Sequence, residues 1–91
     1  MKIITELEWI EQTVAHIAHH HVTPEEVEQL CFSEDALIER GRGESVYYVT
    51  GQTEAGRYLF VVVRYVGHGR ARVITARDME KQERSRYDKR R

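Results

Sequence analysis

Four histidines fall within six residues, His16, His19, His20 and His21, and a long series of cations follows in the second half of the chain. An imidazole titrates near neutrality, with a reference pKa of about 6.5, so a histidine at this place is suited to taking or giving a proton. Arginine carries a permanent charge on a planar fork of donors that matches a phosphate. Proton transfer beside a stabilised anion is the chemistry these residue types offer together. His16 and His20 are also four apart, on one helical face, which invites a zinc reading. No third ligand stands at a recognisable spacing and Cys31 has no cysteine partner. Solvated helix-end histidines, or one contact to nucleic acid, are therefore the plainer reading, and neither a metal nor a cofactor is expected.

Arg72 and Arg77 either face a polyanion or pair with Glu83 or Glu44 inside the fold. Tyr65, Tyr87 and Trp9 could stack on bases, but aromatics in a small chain usually serve the core or its rim, and Trp9 is assigned to the core. Cys31 reads as a small buried apolar residue, because a reactive thiolate wants a nearby base.

Bulk properties narrow the classes. A chain of 91 residues with 41% hydrophobic and 32% charged residues suits one globular domain, residues 1–91, and neither a disordered nor a fibrous protein. No apolar run approaches the roughly 20 residues of a membrane span, and MKIITELEWIEQ is too acidic for a signal peptide. With one cysteine, a reducing cytoplasm is the expected compartment, with no membrane partner. The net charge of -1 conceals a division. Residues 1–56 hold 3 basic against 11 acidic side chains, a balance of -8, and residues 57–91 hold 11 against 4, a balance of +7. Either a basic face meets a polyanion or the two halves pair across one fold.

The elements that must position these groups follow from periodicity. Leu7, Ile10, Val14, Ile17 and Ala18 recur at helical steps and predict a helix over Trp9 to His20. TPEEVEQLCF opens a second helix, with Thr23 as cap, Pro24 in the first turn and Glu26 closing a capping box, and Phe32 is expected to close it against the core. Residues 33–44 read as a loop with a short extended piece at 36–38. SVYYVT, RYLFVVVRYV and RARVITA are three strands joined by glycine-containing turns, most simply antiparallel, the third turning Arg70 and Arg72 to one side. RDMEKQERSRYDKRR is a final helix with Asp78 as N-cap, resting on the sheet through Met79 and Tyr87 or fraying, with a mobile basic tail near 88–91. The expected fold is α+β: two N-terminal helices, a three-stranded antiparallel sheet and a C-terminal helix, with IITEL available as an extra edge strand.

AHIAHHHVTPEEVEQLCF, GQTEAGRYLFVVVRY and VITARDMEKQERSRY, in that order and spacing, resemble the BrnT family, compact relatives of the RelE-type toxins. The resemblance spans Trp9 to Tyr87. Trp9, His20, Glu44, the VITAR strand end at 73–77, and Glu83, Arg84 and Tyr87 fall on the family pattern. His16, His19 and His21 stand where that pattern has Asn, Lys and Gly. Val66-Gly67 and Ser45-Val46 lack arginines usual there.

The resemblance implies a RelE/BrnT-like fold and a toxin of a type II toxin-antitoxin system: a metal-independent endoribonuclease that cleaves mRNA, covered by a BrnA-like DNA-binding antitoxin. It implies a catalytic set of His19, Glu44, Arg72, Arg77, Arg84 and Tyr87, and RNA contacts from Arg64, Arg70, Lys89 and Arg90. His19 is the candidate proton carrier, with Glu44 or Tyr87 to position it. The alternative is an interaction module that keeps the fold without the chemistry. A homodimer through an open sheet edge is compatible with both.

Overall fold

The computed structural model describes residues 4–90. In chain order the elements are β1 (Glu6–Glu8), α1 (Glu11–Ala18), α2 (Pro24–Cys31), β2 (Leu37–Arg40), β3 (Val46–Gln52), β4 (Tyr58–Gly67), β5 (Arg70–Asp78) and α3 (Lys81–Arg90). The strands form a five-stranded sheet in the order β1-β5-β4-β3-β2. The last three strands make the antiparallel meander that their turns predict. Among the described residues, no helix is long and apolar enough to cross a membrane.

Two strands enlarge the expected three-stranded sheet, and the sheet is mixed rather than antiparallel. Residues 37–40, read as loop apart from a short piece, pair along β3 from Leu37↔Thr50 to Arg40↔Tyr47. LIER lacks a strong β pattern of its own, and its partner strand supplies the ladder. Part of IITEL joins the sheet edge: β1 is Glu6–Glu8, while Ile3 lies outside the described residues. It runs parallel to β5, with Leu7 opposite Ala71.

The helices are also set differently. α1 begins only after Ile10, whose φ of -114° and ψ of 150° are extended, and ends before His21, whose φ of 58° is left-handed. Its buried side runs through Thr13 and Ile17, leaving Ile10 and Ala18 exposed. The Thr23–Glu26 capping box is formed. Phe32 does not close on the core but is 47% exposed, past the helix end. Asp78 ends β5 and does not cap α3; the Glu80 N–H instead donates to Glu83 Oε1 at 2.8 Å. Arg91, the last residue of the proposed tail, lies outside the described residues.

Period-two alternation gives the sheet two faces. Val49, Leu59, Val61, Val63, Ala71 and Val73 are buried on one, with Ile17, Val22, Val27 and Leu30 supplied by the helical layer. α1 packs on β5 and α2 on β3 and β4. Trp9 packs at the edge of this core and donates its indole N–H to Glu28. The opposite face carries Tyr48, Thr50, Phe60 and Val62, and α3 covers one end of it through Tyr87, which is 2% exposed and meets the Tyr58 ring edge-on at 5.9 Å.

Candidate active site

Between α3 and the second sheet face lies a cleft of about 430 Å³, lined among others by Glu39, Tyr48, Phe60, Arg77, Glu83, Arg86 and Tyr87. Strand register explains the lining, because Thr50, Phe60 and Arg77 are lateral neighbours across β3, β4 and β5 and therefore share a face. The Arg77 guanidinium lies 4.4 Å from the Phe60 ring centroid, and its two terminal nitrogens donate to the two oxygens of Glu83 at 2.8 and 2.9 Å. Arg77 thereby holds the Glu83 carboxyl below its ordinary range, against the opposing effect of burial. Arg77 itself is raised by the same bond. Across the cleft, Arg86 and Arg90 donate to one oxygen of Glu39 at 2.6 and 2.7 Å. Arg84 stacks over the Tyr58 ring at 4.0 Å, and the Tyr87 hydroxyl donates to the Asp35 carbonyl. Permanent cations, their carboxylate partners and aromatic walls thus share one concavity, an arrangement that suits a phosphate-bearing chain with unstacked bases.

A family model described as the ribonuclease toxin BrnT of type II toxin-antitoxin systems matches residues 9–83. The chain belongs to the BrnT family. Its fold is also similar to that of the crystal structure of the Brucella abortus ribonuclease toxin BrnT, at 21% identity over 89% of this chain and 99% of that one, with a TM-score of 0.64. No curated protein matches the sequence.

The residues that the BrnT resemblance singles out fall at three places. Arg77 and Tyr87 line the cleft, with Arg84 beside it and Lys89 and Arg90 further along α3. Glu44, Arg64, Arg70 and Arg72 form a second group around the other end of the sheet. There Arg64 donates to the Glu44 carbonyl at 2.8 Å, and Arg70 and Arg72 approach Glu8 at 3.7 and 3.4 Å. Arg64 is four residues along β4 from Phe60, about 13 Å at the strand rise. His19 is in neither group. It is the C-cap of α1, in the helical layer, at the end of the domain where Asp78 lies. The structure therefore joins Arg77 with Glu83 and Tyr87, and sets Glu44 at the opposite end of the sheet from His19.

Of the other histidines, His16 Nε2 lies 3.0 Å from Thr75 Oγ1, and the His16 and His20 rings meet edge-on at 5.5 Å. Among the described residues, no group of three or more His, Cys, Asp and Glu side chains is placed to hold a metal ion. Cys31 is buried, and burial pushes its thiol up to about 12, with Glu28 adding to the effect. A thiol at that value is not a nucleophile at neutral pH.

Sequence reasoning missed Glu39 and Arg57. Glu39 meets its arginines across 47 and 51 residues of chain, and no local pattern points to it. For Arg57 the sequence shows only that it follows a glycine turn, at Gly56, whose φ is +91° and in which the Arg57 N–H donates to Thr53 Oγ1.

Proposed function

We propose that this chain is a metal-independent endoribonuclease toxin that cleaves mRNA in the cytoplasm and is neutralised by a cognate BrnA-like DNA-binding antitoxin. The observation that carries the reading is the pairing of Arg77 with Glu83 in an aromatic-walled cleft, in a chain of the BrnT family.

The chemistry asks little beyond such groups. The ribose 2′-oxygen loses its proton to a base and bonds to phosphorus, the bond from phosphorus to the 5′-oxygen breaks, and that oxygen gains a proton. The products are a 2′,3′-cyclic phosphate and a free 5′-hydroxyl. Arg77 would stabilise the crowded phosphate, where removal of one such donor typically costs about 10²–10³-fold in rate. Arg84, beside the cleft, would hold a neighbouring phosphate. Glu83 is ionised and within the cleft, so it joins His19 as a candidate proton carrier. Tyr87 would position. Arg64, Arg70 and Arg72 at the far end of the sheet would track the backbone of a bound strand, their effect falling with salt.

Purified protein should cut a single-stranded RNA in EDTA and leave 2′,3′-cyclic ends. Arg77→Ala should abolish cutting while the circular dichroism spectrum is kept. Cutting that persists in this folded variant removes Arg77 from the mechanism, and a wild-type protein that leaves every RNA intact removes the nuclease reading.

One observation favours the second reading, a non-catalytic interaction module. Arg57, Arg70, Arg72, Arg77, Arg86 and Arg90 are all within ion-pair distance of carboxylates of the same chain. Expression in a bacterium separates the readings: growth arrest relieved by a co-expressed antitoxin supports the toxin, and harmless accumulation supports the module.

A further inference from the structure

We propose that Arg57 is a positioning residue that sets the turn after α1, and His19 with it, against the end of β5 that carries Arg77. The inference rests on the nuclease reading above.

A guanidinium has five N–H donors in a fixed plane, and each one here has an acceptor. Nε donates to Asp78 Oδ1 at 2.7 Å, and Nη2 to Asp78 Oδ2 at 3.2 Å and to the His20 carbonyl at 3.0 Å. Nη1 donates to the His21 carbonyl and is shared between the two oxygens of Glu26 at 3.2 and 3.3 Å. A fully engaged arginine, its side chain only 26% exposed, has no donor left for a phosphate, which separates it from Arg77 and Arg84. Its partners come from three elements: the turn between α1 and α2, the first turn of α2, and the last residue of β5. Glu26 also accepts from the Thr23 N–H, so the same carboxylate closes the α2 cap and holds Arg57.

The clamp is held at its own root. The Thr53 N–H donates to the Arg57 carbonyl at 2.9 Å, and the Arg57 N–H donates to the Thr53 hydroxyl at 3.0 Å, which fixes the start of β4. At the other end, the two carbonyls Arg57 holds belong to the residues directly after His19. The turn there has a left-handed His21, which favours glycine or asparagine, and so relies on outside contacts to stay in one conformation. Lysine would keep the charge of Arg57 but offer a single ammonium in place of a planar fork, and would not span these acceptors.

The test combines cleavage kinetics on a short single-stranded RNA with amide hydrogen exchange, on wild type, Arg57→Met, Arg57→Lys and Arg77→Ala. In both Arg57 variants kcat should fall about tenfold or more with KM within about twofold of wild type, since the clamp holds Asp78, whose carbonyl accepts from Arg77 Nη1 at 3.0 Å, and a misplaced reacting group loses rate before binding. Exchange at the amides of His19 to Val22 should rise while β4 stays protected. Wild-type kcat in Arg57→Met, when Arg77→Ala is inactive, overturns the positioning role and leaves the nuclease reading standing. If wild type itself does not cut RNA, the nuclease reading fails and exchange alone decides. Local acceleration at His19 to Val22 then sustains the clamp, and unchanged exchange overturns it. Should Arg57→Met not fold, Asp78→Asn, which keeps the arginine and removes one charged partner, is read by the same two measurements.

Discussion

Arg77 and Glu83 meet through two parallel hydrogen bonds, 2.8 and 2.9 Å long, with the Phe60 ring against the face of the same guanidinium at 4.4 Å. The pair ties the end of β5 to the first turn of α3, and it fixes a cation at one point of the cleft. An incoming phosphate would share that cation with Glu83 rather than find it free.

Glu83→Gln keeps the shape of this contact and removes its charge. Both side chains are partly exposed, so solvent screens the pair, and the variant should lose about 1 kcal/mol of stability in urea unfolding. A loss near zero would mean that the pair positions Arg77 without stabilising the fold.

The acid limb of stability should depend on two carboxylates. Arg57 holds Asp78 below its ordinary value of 3.8, and Arg77 holds Glu83 below 4.5. A carboxyl lowered in the fold contributes stability that is complete above its unfolded value and is lost as pH falls through the folded one. The urea midpoint of wild type should therefore drop steeply below the ordinary carboxylate values, and less steeply in the Asp78→Asn, Glu83→Gln double variant. Equal slopes in the two proteins would contradict both assignments.

Cys31 should be silent toward thiol reagents. It is 5% exposed with its thiol near 12. At pH 8 the folded protein should leave Ellman's reagent unreacted over minutes, and urea should release one equivalent of thiol. Fast labelling of the native protein would show that α2 opens readily at its C-terminus.

Gly69 sits at the turn where the edge strand begins to pair. Its φ is +78°, a Cβ there would come 2.5 Å from Thr5 Oγ1, and its carbonyl accepts from the Thr5 and Glu6 amides. Gly69→Ala should destabilise by about 1–2 kcal/mol and release β1, seen as faster exchange at Glu6 to Glu8 with β3 and β4 protected.

The elements with local causes were legible in the residues alone. Thr23, Pro24 and Glu26 announce the start of α2, since a capping box is made within four residues. The run from Tyr58 to Val66 announces a central strand. Alternation of Arg70 and Arg72 with Ala71 and Val73 announces a half-buried one, and the structure buries the latter pair and exposes the former. Cys31 was legible as buried for the same reason, as part of the apolar stripe of α2.

The candidate site was legible by residue type but not by grouping. Arg77 and Tyr87 share a cleft because strand register and the course of α3 bring them together, while Glu44 and Arg72, equally prominent in the sequence, lie toward the other end of the sheet. Asp78 had every local mark of a helix cap. A guanidinium 21 residues earlier in the chain claims it, because two bonds from a full cation outweigh one bond from a neutral backbone N–H.

Sequence by itself determined the α+β class, the antiparallel meander and the α2 cap, because hydrophobic period and capping act over a few residues. Tertiary structure alone decided the parallel edge strand β1, the reach of Arg57 across three elements, and the division of the arginines between two ends of one sheet. Those contacts join residues 21 to 64 positions apart. Their partners are chosen by how the layers pack, which no local pattern encodes.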